Sequence, residues 1–270
     1  MGFGLEILLT KLEHIDHKLM ELQLQMNRLE TKIGSSQYTY GKTSTSNATA
    51  TTPEPQLPLL ASCQDAPANV SGLYLIRVHN DSFPFATYCE MEKFGGGWTV
   101  VQHRFDGSVN FYRNWYEYRV GFGDSGSEFW IGLDLIHQLT TARKHELIVE
   151  IMDITGHYGY ARYSEFQVGS ESEEYKLKAV GSYSGTAGDA LQSGKGKKFS
   201  TKDRDNDGRS DINFAVEREG GWWYSFYGGH SNLNGLYGNA SDAKSIWWWH
   251  FRKDMRGLSY TRMMIREAKK

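Results

Sequence analysis

Nine apolar residues, Leu5, Leu8, Leu12, Ile15, Leu19, Leu22, Met26, Leu29 and Ile33, are spaced alternately three and four apart. That a/d alternation predicts a helix of about four heptads with a left-handed coiled-coil seam. No proline interrupts it, and Gly34 falls where a helix C-cap is expected. Residues 1–34 are therefore read as a coiled-coil oligomerisation helix that brings copies of this chain together. The alternative, one amphipathic helix docked on its own domain, calls for a wider apolar stripe than this strict seam. Leu, Ile and Met share the seam without a β-branched division, so the number of strands is not specified. His14 and His17 lie on this helix and read as solvated neighbours. The pattern then stops. Ten of the nineteen residues from Ser35 to Pro53 are Ser or Thr, and Pro55 and Pro58 follow. Nothing in residues 35–60 can bury a face, which predicts an extended linker, a candidate for O-glycosylation. Residues 61–270 resume a domain-like pattern without internal repeats. Gly95-Gly96-Gly97 before Trp98 and a β-branched run reads as a tight strand entry. Trp222-Trp223-Tyr224 and Trp247-Trp248-Trp249 read as core-facing strand residues. Both clusters also invite a reading as sugar-stacking platforms, against which core packing is favoured. If the triple lies in a strand, alternation turns its middle ring to the opposite face and leaves one exposed tryptophan beside a binding pocket as an open alternative.

Composition narrows the function classes. The 270 residues carry 30 basic and 32 acidic side chains, net charge −2. That balance offers no global attraction to nucleic acid or to an anionic membrane. Mean hydropathy is −0.56, and no run approaches the roughly 18 apolar residues of a membrane span, so membrane insertion is not expected. Sequons stand at Asn47, Asn69, Asn80 and Asn239. Four of them beside a Ser/Thr-rich linker predict a secreted, extracellular glycoprotein. The start, Met1 to Glu6, runs into the heptads without a basic segment or cleavage site, so any signal peptide is expected to lie outside this sequence. No nucleophile elbow, HExxH helix or phosphate loop is present, and an enzyme is not expected.

Two features carry chemistry. Cys63 and Cys89 are 26 residues apart. A structural disulfide is favoured over a reactive thiol, because neither a CxxC pair nor an activating neighbour accompanies them. The stretch Asp203-Arg204-Asp205-Asn206-Asp207-Gly208-Arg209-Ser210-Asp211 places carboxylates at alternate positions of a glycine turn. Such a run either binds a hard cation such as calcium or closes on itself through Asx hydrogen bonds. It follows the first half of an EF-hand loop, but position twelve is Phe214 rather than a bidentate Glu, so an EF-hand is not expected.

Several stretches resemble one family. Cys89–Trp115, Gly121–Thr140, Phe199–Asp207, Gly220–Tyr224 and Ser231–Tyr237 are similar, in order, to motifs of the fibrinogen C-terminal domain of ficolins, tachylectins, angiopoietins and tenascins. The resemblance implies an α+β, fibrinogen C-terminal-like globular domain: a twisted, mostly antiparallel sheet, short helices and a loop-rich binding lobe, with Met263–Glu267 in the last strand. It implies a Cys63–Cys89 disulfide. It also implies Ca2+ bound by the side chains of Asp205 and Asp207, with carbonyls of Arg209 and Asp211 as the best further candidates. The departures from the family are specific. Its second disulfide is missing at both ends, and Phe214 is expected to fill the space. Arg218, Asp242 and Arg256 stand where the family's acetyl-sugar pocket has tyrosines, and His230 or Gly229 stands near its histidine. Acetyl-sugar binding is therefore expected to be weakened or replaced by recognition of charged or hydrogen-bonding groups. The function expected is that of an oligomeric lectin of innate immunity, binding carbohydrate or other microbial-surface ligands. The alternatives are an angiopoietin-like ligand of a receptor ectodomain and, less suited to so short a chain, a tenascin-like matrix protein.

Overall fold

The computed structural model describes residues 59–80, 82–238 and 242–268. The coiled-coil helix expected over residues 1–34, almost all of the expected linker, and the sequons at Asn47 and Asn239 lie outside the described residues. In chain order the strands and helices are β1 (Leu59–Leu60), β2 (Gly72–Ile76), β3 (Phe85–Glu90), β4 (Trp98–Arg104), α1 (Trp115–Val120), β5 (Phe122–Gly123), β6 (Phe129–Trp130) and α2 (Leu133–Ala142). There follow β7 (His145–Asp153), β8 (Tyr158–Val168), β9 (Leu177–Val180), β10 (Tyr183–Gly185), α3 (Phe214–Glu217), β11 (Ser231–Asn232), β12 (Trp247–Trp248), α4 (Trp249–Arg252) and β13 (Leu258–Glu267).

One sheet organises the domain, in the order β1-β2-β3-β4-β13-β7-β8-β10, with β6 on β4 and β9 on β8. All its pairings are antiparallel except β1 on β2, where Leu59 faces Leu75 and Leu60 faces Ile76. The sheet thus begins at Leu59, inside the stretch whose composition reads as linker. The last strand, β13, lies in the middle: Met263 faces Gln102 of β4 on one side and Val149 of β7 on the other. A central strand covered on both faces needs an unbroken apolar run, and Met263, Met264 and Ile265 are all fully buried.

The glycine run ahead of Trp98 works as the sequence suggests. Gly95, Gly96 and Gly97 all have positive φ, turning the chain sharply into β4. Cys63 and Cys89 are joined in a disulfide inside a small apolar cluster with Tyr74, Ile76 and Met91. Closing a loop of that length stabilises the fold by about 3–4 kcal/mol on chain-entropy grounds. The tryptophans sit deeper than alternation alone suggests. Trp222, Trp223, Trp247 and Trp248 are all buried. The two-residue strand β12 has cover on both faces, and the chain turns into α4 at Trp249, which is half-buried. The middle tryptophan of the triple is therefore not a surface platform.

Candidate functional site

Residues 199–256 form the irregular lobe, and buried amides stitch it to the sheet. Gln102 of β4 donates to the Leu233 carbonyl (2.9 Å) and to Asn234 Oδ1 (3.2 Å), while accepting from Thr261 of β13 (2.9 Å). Arg104 donates to the Gly235 carbonyl at 2.9 Å. Inside the lobe, Asn232 Nδ2 donates to the Arg218 carbonyl (3.0 Å), Asn234 Nδ2 donates to the Gly221 carbonyl (3.0 Å), and Tyr224 OH donates to the Gly220 carbonyl (2.7 Å). The Ser231–Tyr237 motif therefore spends its asparagines on satisfying buried backbone, which loops need when they lack ladder partners.

The acidic loop is held from both ends. Asp203 turns away from its neighbours, accepting from the backbone N–H of Trp115 at the start of α1 (2.9 Å) and from Thr201 (2.8 Å). Asn213 caps α3 by accepting from the N–H groups of Ala215 and Val216. Between them, Asp207 is 5% exposed. One of its oxygens accepts from the Arg209 N–H (2.8 Å) and the other from the Phe214 N–H (2.9 Å). Asp205 accepts from the Asp207 N–H at 3.3 Å. Arg209 and Asp211 satisfy each other through their side chains.

No Lys or Arg side chain among the described residues comes within 4.0 Å of the Asp205 or Asp207 carboxylate. Burial pushes the Asp207 carboxyl above its ordinary value. The N–H groups of Phe214 and Arg209 oppose that push, and the neighbouring charge of Asp205 adds to it. A buried carboxylate beside a second one, with no described cationic side chain within 4.0 Å and the guanidiniums of Arg209 and Arg218 acting on it only from farther off, is chemistry suited to a hard cation. No cluster of three or more His, Cys, Asp or Glu stands among the described residues. A cation here would thus take two carboxylates and draw its remaining oxygens from carbonyls and water. The side chains of Arg209 and Asp211 are occupied with each other, leaving only their carbonyls for that purpose.

The four residues expected to line a ligand pocket are used in four different ways. Arg218 departs most from that expectation: it is 5% exposed, with its guanidinium 4.8 Å from the Phe214 ring, 5.5 Å from Tyr224 and 5.1 Å from Trp247. Phe214 is itself buried, as expected of a residue filling the place of a cysteine. Burial pulls the Arg218 guanidinium pKa down, although Tyr224, Glu217 and Asp207 favour its charge. It donates to the Gly228 carbonyl, while its Nε has no hydrogen-bond partner among the described residues. Asp242 closes an exposed turn, accepting from the N–H groups of Lys244 (2.8 Å) and Ser245 (3.1 Å). Arg256 is exposed and pairs with Asp254 at 2.7 Å. His230 is exposed and lies beside His250. Of the sequons, Asn69 and Asn80 are exposed.

Sequence reasoning missed the loop's aromatic tip. Phe226 is 51% and Tyr227 84% exposed, their rings 5.1 Å apart and edge-on. The Arg209 guanidinium lies 5.8 Å from the Phe226 ring, so this tip adjoins the acidic loop. The available signal was an aromatic pair followed by Gly228-Gly229, the pattern of a loop apex.

Comparison with known proteins places this geometry. The family described as fibrinogen beta and gamma chains, C-terminal globular domain, matches residues 61–268. Angiopoietin-4 of Bos taurus is 44% identical over 208 residues, covering 74% of this chain and 41% of the relative. Fibrinogen-like protein A of Apostichopus parvimensis is 43% identical over 199 residues, covering 73% of this chain and 69% of the relative. The solved fibrinogen-like globe domain of human ANGPTL2 superposes with a TM-score of 0.74 at 38% identity, over 78% of this chain and all of that one. The chain thus spans about two fifths of the length of the angiopoietin relative. No helix among the described residues is long and apolar enough to cross a membrane. With its mostly antiparallel sheet, stitched lobe and matching motifs, the chain belongs to the fibrinogen C-terminal domain family.

Proposed function

We propose that the protein is a secreted, oligomeric, calcium-binding recognition protein: a fibrinogen-related lectin that captures carbohydrate or other pathogen-surface ligands in innate immunity. The supporting observation is the buried Asp207 beside Asp205, with no Lys or Arg side chain among the described residues within 4.0 Å and adjoining an exposed aromatic tip. Ca2+ held by the carboxylates of Asp205 and Asp207, with carbonyls of Arg209 and Asp211, supplies the missing positive charge and fixes the loop. Calcium thereby acts as an ordering element, and the ligand is bound without being transformed. Arg209, Phe226 and Tyr227 form the adjoining surface. Their flat rings and guanidinium suit sugar faces and hydrogen-bonding groups. The four residues aligned with the family pocket do not form a common aromatic wall, in keeping with weakened acetyl-sugar binding.

A second reading rests on the same surface. Exposed Phe, Tyr and Arg are also the residues that anchor protein interfaces, and the chain is similar to angiopoietin-4, which favours an angiopoietin-like ligand of a receptor ectodomain as the alternative. A glycan array and whole-bacterium binding assay, run in calcium and again in chelator, separates the two. Chelator-sensitive binding competed by free sugar supports the lectin. Absence of glycan and bacterial binding in saturating calcium overturns it.

A further inference from the structure

We propose that His230 and His250 form a zinc-binding pair on the rim of the lobe, separate from the acidic loop and chemically unlike it. His230 ends the loop that carries Phe226 and Tyr227, and His250 lies in α4. His250 Nε2 stands 3.3 Å from His230 Nδ1, with the ring centroids 4.9 Å apart and the planes at 82°. Two nitrogens on one tetrahedral zinc, each at the usual Zn–N distance of about 2.0–2.1 Å, must be about 3.3–3.4 Å apart. The pair already has that separation. A square-planar copper would need a closer approach of its cis nitrogens, so the spacing favours zinc.

The backbone beneath the pair is fixed. The His230 N–H donates to Ser193 Oγ (3.3 Å), and its carbonyl accepts from the Trp249 N–H (2.9 Å). Both rings are exposed, so each can turn to aim its lone pair at a shared ion while the main chain stays in place. Without metal, one ring donates its N–H to the other. To ligate through the same two atoms, that ring carries its proton on the other nitrogen, a change of tautomer with no net proton loss. Two protein ligands leave two positions of a tetrahedral ion open to water or to an oxygen donor of a captured ligand. Nitrogen donors select zinc over calcium, whereas the all-oxygen donors of Asp205 and Asp207 select calcium. Zinc would clip the aromatic-tipped loop to α4, across a stretch of twenty residues.

The test uses the full chain saturated with calcium, titrated with zinc by calorimetry and followed by thermal melting. Cobalt(II) serves as a spectroscopic substitute. The wild-type protein is expected to bind zinc, gain thermal stability with it, and give the intense visible absorption of tetrahedral cobalt. His230→Gln and His250→Gln, which keep size and polarity, should each weaken zinc binding by about tenfold or more and abolish the cobalt signal. A His14→Gln/His17→Gln variant should match the wild type, since those histidines are not part of the lobe pair. Zinc affinity and melting shift unchanged in both lobe variants, or no zinc binding by the wild type, would overturn the proposal.

Discussion

Asp207 carries an electrostatic conflict, being buried beside another carboxylate with no cationic side chain among the described residues within 4.0 Å. Its folded-state pKa is raised, so its charge opposes folding above that pKa, and the opposition fades as pH falls through it. A bound cation removes the same opposition at neutral pH. Two outcomes follow from that sign. Calcium should raise the melting temperature at pH 7.5, and the gain should shrink on acidification as protons compete for Asp207. Asp207→Asn should abolish the calcium-dependent gain, while the calcium-free variant should stay within about 1–3 kcal/mol of wild type, because relief of the buried charge is offset by the backbone N–H that loses its acceptor where Asn offers one oxygen and Asp207 uses two. Differential scanning calorimetry in calcium and in chelator measures both, and an unaltered calcium response in Asp207→Asn would remove the site. At this scale the sequence was partly legible. Alternating Asp residues marked a carboxylate-rich turn because the pattern is local. Arg218 was placed at the pocket by its alignment with a family tyrosine, and the three rings that enclose it come from residues 214, 224 and 247, whose meeting no local pattern records.

Among elements, the most exacting contact joins the residue after α3 to the aromatic-tipped loop. Gly228 has φ +84°, and a Cβ there would stand 2.0 Å from Arg218 Nη2. The glycine thus serves two purposes: it permits the left-handed turn and lets the buried guanidinium reach the loop's carbonyl. Gly228→Ala should cost about 1–3 kcal/mol from backbone strain alone, with a further loss from displacing Arg218. Arg218→Met removes a buried cation that has no carboxylate partner, and should cost much less than an ordinary core truncation. In the double variant the two losses should sum to less than the separate values, because Met can yield where the guanidinium cannot. Strict additivity in urea melts would show that the loop and α3 are not coupled through this contact. The elements themselves were unevenly readable. Gly95–Gly97 marked the entry to β4 because a glycine run has few other uses. The placement of β13 between β4 and β7 is a long-range pairing, and only the resemblance to a family placed Met263–Glu267 in a strand. The tryptophan triple was misread because alternation distinguishes faces only where one face meets solvent, and β12 has none that does.

At the scale of the whole molecule, the proposed recognition by a shallow exposed tip would call for several heads acting together. Phe226, Tyr227 and Arg209 offer a small contact, and a small contact alone yields weak binding, because the association entropy must be met by few groups. A coiled-coil oligomer, the expectation from the heptads of residues 1–34, would supply the remedy. Joining heads raises the effective concentration for each later contact, so avidity on a repetitive surface exceeds single-site affinity by roughly 10²–10⁴. On the same expectation, the Ser/Thr- and Pro-rich linker would set the reach of each head. Charged substitutions in the seam, Leu12→Asp with Leu19→Asp, separate this effect from the site itself. They should turn a sedimenting oligomer into a monomer and weaken binding to a ligand-coated surface by about 10²–10⁴. Affinity for a soluble monovalent ligand should stay unchanged, as should the calcium-dependent melting shift, because neither depends on the number of heads. A wild-type chain that already sediments as a monomer, or a seam variant that binds the coated surface as tightly as its parent, would mean that each head captures its target alone. The affinity would then have to come from a deeper contact than the aromatic tip.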